Sequence, residues 1–249
     1  AGTNSYTVVD ANGCSATTSI LVTEPSQLSV SASSGSINCY GQSTAVSVTA
    51  VGGTAPYQNT GIKIVTAGSY SYTVTDANGC TNVASITVSQ PSLLTSSVSS
   101  GTISCFGGTT TVTVAANGGT PAYSGTGNYT VSAGTYSYTV NDANGCQSIS
   151  GITITQPAVL TASASGNNIL CNGGTTSVTV SASGGTTPYS GTGTYTRSAG
   201  SVTYTVTDLR GCTATVSSTV TQPAVLTATS TSSGILCNGG SALVAVAAN

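Results

Sequence analysis

Cysteine is the residue type in this chain best suited to covalent chemistry, and its spacing is regular. Cys14, Cys39, Cys80, Cys105, Cys146, Cys171, Cys212 and Cys237 are separated by gaps that alternate between 25 and 41, so each recurs after 66 residues. A zinc site would need close Cys pairs or accompanying His. The chain has no His and no CxxC. Disulfide formation is the chemistry that remains. It belongs to oxidising compartments and commonly supports small domains with sparse cores. An extracellular, cell-surface location is therefore expected.

Catalysis lacks material. General acid–base work needs a His or a pair of titratable groups close together. The only acidic side chains that recur are Asp10, Asp76, Asp142 and Asp208, one per 66 residues, and no Lys recurs. Serine is plentiful, but a nucleophilic Ser needs a base. The reading is a protein that is not an enzyme and carries no cofactor. Calcium takes six to eight oxygens, usually from several carboxylates, so these Asp residues are read as turn caps and no metal site is assigned. Lys63 has no counterpart elsewhere, which argues against a Lys–Asn crosslink. Tyr57, Tyr123 and Tyr189 lie beside Pro and Gly in loops and are the best ligand candidates, with packing on a neighbouring loop as the alternative. Tyr72, Tyr138 and Tyr204 are in phase with Val74, Val140 and Val206, which predicts core positions with the hydroxyl at the edge.

Composition sets the class. Of 249 residues, 38% are hydrophobic and only 3% charged, with net charge −2. Disordered chains generally rely on charge, and here Ser, Thr, Gly and Asn supply the polarity. Thr and Val favour strands, and helix-forming chemistry is nearly absent. An all-β fold follows. Three cations, Lys63, Arg197 and Arg210, cannot form a nucleic-acid footprint or a polybasic membrane patch. No apolar run approaches the ~18 residues of a spanning helix, so no membrane insertion is expected. No charged-then-apolar leader is visible.

The elements that position these residues repeat with them. Pro25, Pro91, Pro157 and Pro223 keep the step of 66, as do Tyr6, Tyr72, Tyr138 and Tyr204 and the pairs Gly52-Gly53, Gly118-Gly119 and Gly184-Gly185. Self-similarity of this kind decides architecture. The Glu/Gln-Pro step divides the chain into a partial copy 1–25, full copies 26–91, 92–157 and 158–223, and a partial copy 224–249, cut from a longer chain. Alternation marks strands around Leu28-Val30-Ala32, Val46-Val48-Ala50, Tyr70-Tyr72-Val74 and Ala84-Ile86-Val88. A weaker region, 54–66, is read as short edge strands. Each copy thus predicts a small sandwich of six or seven strands. Asp76-Ala77-Asn78-Gly79 reads as a tight hairpin turn. In its last equivalent, Asp208-Leu209-Arg210-Gly211, the Asn is lost. With almost no linker at Pro91, copies are expected end to end as a rod, about 33 Å each for a ten-residue strand.

Particular phrases resemble a known family. Ala133-Gly134-Thr135-Tyr136-Ser137-Tyr138-Thr139-Val140, Asp142-Ala143-Asn144-Gly145-Cys146 and Ile152-Thr153-Ile154-Thr155-Gln156-Pro157 are similar to the SprB-type repeat. Cys171-Asn172-Gly173-Gly174 and the stretch from Gly184-Gly185 to Pro188-Tyr189 match its opening half. The likeness extends over essentially the whole chain. That family occurs in very large surface adhesins of gliding Bacteroidota. It implies an Ig-like fold similar to PKD domains, type IX secretion, and roles in gliding or attachment. Many members carry a Trp in the middle region, and this chain has none.

Two disulfide pairings remain open on this reading. The preferred one lies within copies, Cys39–Cys80, Cys105–Cys146 and Cys171–Cys212, and would contribute about 3–4 kcal/mol per bridge through loop entropy. In an Ig-like order, however, the cysteines of one copy sit at opposite ends if the first strand runs straight. Cys39 then faces Cys146, and Cys105 faces Cys212. Residues Ser33 to Ser36 around Gly35 would have to fold back to rescue the first pairing. The expected partners are neighbouring copies of the same long chain, with other filament chains or surface glycans as further possibilities. The expected function is the shaft of a surface adhesin or filament. The alternative is a binding module acting through the loops of Tyr57, Tyr123 and Tyr189.

Overall fold

The computed structural model describes all 249 residues and contains nineteen strands and no helix. β1 (Gly2–Val9) and β2 (Ser15–Val22) form an antiparallel hairpin. β3 (Ser29–Ser34), β4 (Thr44–Val51) and β5 (Gly61–Val65) form a three-stranded antiparallel sheet with β4 in the middle. β6 (Gly68–Thr75) and β7 (Thr81–Val88) form a second hairpin. The bounds of β8 (Thr95–Ser100), β9 (Thr110–Asn117), β10 (Gly127–Val131), β11 (Gly134–Asn141) and β12 (Gln147–Ile154) are those of β3 to β7 moved by 66 residues. A second shift of 66 gives β13 (Thr161–Gly166), β14 (Thr176–Ser183), β15 (Gly193–Arg197), β16 (Gly200–Thr207) and β17 (Thr213–Val220). The three-plus-two sheet grouping recurs each time. β18 (Ala228–Ser232) and β19 (Val244–Ala248) pair as a final antiparallel hairpin.

Period-two patterning explains these sheets. Along β4, Val46 and Val48 are fully buried while Ser47 and Thr49 alternate with them and face the other way. They meet Ile37 from the loop after β3, with Val74 from β6 and Val88 from β7, so the core lies between the two sheets. Ile169, Val178, Val180, Tyr204, Val206 and Val220 form the matching cluster of β13 to β17. The outer faces carry hydroxyl pairs instead of charges: Ser31 with Thr49 at 2.8 Å, Ser69 with Thr87 at 3.1 Å, Thr203 with Ser217 at 2.9 Å. Such cross-strand pairs contribute a few tenths of a kcal/mol each. They account for a β protein that is 3% charged.

Five strands form per copy, fewer than the six or seven expected. The difference lies in the middle region. Residues 54–60 make one isolated bridge, Gln58 to Thr75, and only Gly61–Val65 becomes a strand. The backbone before it is committed to the contacts described below.

Contacts divide the chain into two compact units, one of Ala1–Ser97, Val114–Gly127 and Tyr138–Ser150, the other of Val98–Thr113, Asn128–Ser137 and Gly151–Asn249. Each holds one of the two disulfides described next.

Candidate functional site

Asp76 organises the β6–β7 turn. Its Oδ1 accepts the backbone N–H groups of Asn78 at 2.9 Å and Cys80 at 2.8 Å. The bond two residues on is the one the sequence predicts. The second oxygen does something the sequence does not reveal. Oδ2 accepts the N–H of Thr54 at 2.9 Å, tying the turn to the Gly52-Gly53 corner after β4. Asp76 is only 2% exposed. Gly53 is required beside it, because a Cβ there would stand 2.7 Å from Oδ2 on a backbone with φ +59°. Asp142 repeats the arrangement with Thr120, Asn144 and Cys146, and Asp208 with Thr186, Arg210 and Cys212.

These bonds favour the ionised form. The N–H of Thr54 holds Asp76 below the ordinary carboxylate range, aided by those of Cys80 and Asn78 and opposed by burial. Thr120 leads in the same way at Asp142. At Asp208 burial raises the pKa, and the N–H groups of Thr186, Cys212 and Arg210 together outweigh it. A lowered folded pKa contributes stability that is fully present above the unfolded value and is lost as pH falls through the folded one. Acid titration followed by circular dichroism should therefore show loss of stability below the ordinary carboxylate range. Asp142→Asn should flatten that dependence and destabilise at neutral pH, since the amide would set a donor or a weaker acceptor against the Thr120 N–H.

Tyr57, Tyr123 and Tyr189 are half-buried, and their hydroxyls donate to the carbonyls of Gly52, Gly118 and Gly184 at 2.6, 2.7 and 2.6 Å. They pin the Gly-Gly corner. Tyr72 differs: its hydroxyl is buried without a hydrogen-bond partner. Its counterpart Tyr204 accepts from Arg197 Nε at 2.9 Å, with the guanidinium 5.2 Å from the ring centre. Two conservative changes should thus act in opposite directions. Tyr57→Phe is expected to lose about 1–2 kcal/mol, and Tyr72→Phe to gain up to about 1 kcal/mol, read from urea midpoints.

The loop after β3 is fixed by a residue read from sequence only as a boundary. Gln90 Oε1 accepts the Gly41 N–H at 2.8 Å, Gln156 that of Gly107 at 2.7 Å, and Gln222 that of Gly173 at 2.9 Å. The recurrence of Gln-Pro was the available signal. The loop that each Gln holds carries Cys39, Cys105 or Cys171.

Two disulfides are formed, Cys39–Cys146 and Cys105–Cys212, each with Cα atoms 5.7 Å apart. This corrects the preferred pairing of Cys39–Cys80, Cys105–Cys146 and Cys171–Cys212. Cys80 and Cys171 are exposed thiols here, as are Cys14 and Cys237. The physical reason is strand length. Asn82 Nδ2 donates to the Leu28 carbonyl at 2.7 Å, and Asp76 holds Thr54, so the Cys80 turn lies at the entry of β3 and the exit of β4. Cys39 follows the exit of β3 and precedes the entry of β4. An eight-residue strand spans about 26 Å, and a bridge needs Cα atoms within about 7 Å. β3 runs on to Ser34 without folding back.

The bridged turns also make polar contacts. Asn144 Nδ2 donates to the Asn38 carbonyl and to Thr120 Oγ1, both at 3.0 Å. The Cys146 sulfur lies 3.3 Å from the same Asn38 oxygen, a contact without a proton because the sulfur is bridged. Where Asn is lost, Arg210 Nη1 reaches Thr102 Oγ1 at 3.4 Å. In the middle copy Ser96 bonds both Ser148 and Ser150. Val30 and Ala84 hold two of these positions in the first copy, so this is a polar replacement in the packing, with no base beside it to activate a hydroxyl.

Disulfides persist in oxidising compartments, and the two bridges point to an oxidising, non-cytoplasmic environment. No helix is long and apolar enough to cross a membrane. No family model matches the chain, and no curated protein matches it in sequence.

Proposed function

We propose that this chain is part of the shaft of a secreted, repetitive surface adhesin or filament, built of Ig-like 66-residue copies set end to end and extending from a bacterial surface for attachment or gliding. The observation that supports this reading is the placement of the bridges. Cys39–Cys146 and Cys105–Cys212 each join a loop of one 66-residue copy to the turn of the next. A protein selected only to fold would gain as much loop entropy from a bridge inside each copy as it needs. A protein that must transmit tension gains from bonds that cross the boundaries. The SprB-type resemblance and the Ser/Thr-rich, weakly charged surface fit the same role.

A glycan-binding role for the loops of Tyr57, Tyr123 and Tyr189 has less support, because their hydroxyls are engaged by Gly carbonyls. Electron microscopy of intact cells with antibody against the chain tests the shaft. Labelled thin filaments with an axial step of about 33–45 Å are expected, from strand length plus a loop layer. Label confined to the cytoplasm, or no filament, would overturn it. Glycan-array binding lost on Tyr123→Ala would favour the binding module.

A further inference from the structure

A cleft recurs where one complete copy meets the next. In the second compact unit it measures about 480 Å³, within the size range of small-molecule sites. One wall is the end of β8 with the loop after it, together with the end of β12. The other wall is Gly185, Thr186 and Arg210 of the following copy. Ile103 and Ile154, 3% and 5% exposed, close the base. Sixty-six residues earlier, around Gly35, Gln90 and Gly119, a cleft of about 450 Å³ is built from the same positions. The Cys105–Cys212 bridge ties the two walls of the second cleft, lying three residues after Thr102 and two after Arg210. Walls fixed in advance lower the cost of ordering a site around a ligand.

The polar groups of the second cleft are unspent. The hydroxyls of Ser100, Thr155 and Thr186 and the side-chain N–H groups of Gln156 make no hydrogen bond within the protein. Arg210 commits one side-chain donor, to Thr102 Oγ1 at 3.4 Å, and has no carboxylate partner. Asp208, two residues before it, is 5% exposed with both oxygens filled by backbone N–H groups. We propose that this cleft binds a short acidic saccharide, with the Arg210 guanidinium taking its carboxylate and the free hydroxyls and amide taking its ring hydroxyls. Hydroxyls donate and accept, as those of a sugar do, whereas a bare phosphate or sulfate would use the donors alone. One unpaired guanidinium matches one carboxylate, and that pair is bidentate and charge-assisted. At the first boundary Pro121 lines the cleft, and the counterpart of Arg210 is Asn144, whose Nδ2 is given to Asn38 and Thr120. That cleft has the walls without the charge, so acid selectivity belongs to the second boundary.

The inference depends neither on the shaft reading nor on the loops of Tyr57, Tyr123 and Tyr189. Its test titrates the oxidised, ¹⁵N-labelled 249-residue chain with digalacturonate, the neutral galactose disaccharide and acetate, read by NMR. Digalacturonate is expected to shift Thr102, the Gln156 side-chain amide and Arg210 Nε. It should bind at least about tenfold more tightly than either other probe. Arg210→Asn installs the residue that Asn78 and Asn144 already place at this turn, so the fold is kept while the advantage of the acid is lost. Thr155→Val should weaken both disaccharides. Absence of binding, or an affinity for digalacturonate unchanged by Arg210→Asn, would overturn the proposal. So would acetate binding as tightly as digalacturonate, since charge alone would then be read, or shifts confined to the loops of Tyr57, Tyr123 and Tyr189.

Discussion

Stretched between its ends, the oxidised chain is expected to stop lengthening at about 400 Å and the reduced chain at about 850 Å, at 3.3–3.6 Å per extended residue. The difference follows from how the bridges interleave. The shortest covalent route runs from Ala1 to Cys39, across to Cys146, back along the backbone to Cys105, across to Cys212 and on to Asn249. Residues 40–104 and 147–211 are bypassed. Neither segment can bear load while both bridges hold, even if every strand has been pulled apart. Pairing within copies would bypass less: each bridge would hide one 41-residue gap and leave every boundary carried by the backbone alone. Single-molecule stretching with and without reductant reads the two lengths. Equal lengths would mean that the bridges are not formed.

Removing one bridge should cost nearly as much stability as removing several core side chains. Cys39→Ser/Cys146→Ser opens a closure of 107 residues, for which loop entropy gives a loss of about 4–5 kcal/mol. The first core cluster gathers Ile37, Val46, Val48, Val74 and Val88 as its buried members, each worth about 1.5–3 kcal/mol. Small cores of this kind leave a narrow margin, so the doubly substituted chain should show a large fall in urea midpoint. The Cys14→Ser change removes a thiol that forms no bond here and should leave the midpoint of the monomer where it was. A similar midpoint for both variants would show that the bridge contributes little.

Much of the architecture was legible because period-two alternation and turn chemistry act locally. Val46, Val48, Val74 and Val88 were placed in the core from their spacing, and all are buried. The Asp76 cap was readable since its partner Asn78 is two residues away. The features that were missed depend on distant partners. The second oxygen of Asp76 reaches Thr54, 22 residues earlier, and Gln90 reaches Gly41, 49 residues earlier. The disulfides hinged on one local question, whether the chain turns back at Gly35. It does not, because β3 pairs with β4 through Ser34 opposite Val46. Edge-strand content at 54–66 was overestimated for a related reason. That segment spends its backbone and Tyr57 on long-range contacts that alternation does not encode.

The load path and the stability of the chain both depend on where the two bridges fall. Non-reducing proteolysis with mass spectrometry of the oxidised chain reads this directly. Crosslinked peptides joining Cys39 to Cys146 and Cys105 to Cys212 are the predicted result. Peptides joining Cys39 to Cys80, Cys105 to Cys146 and Cys171 to Cys212 would contradict it.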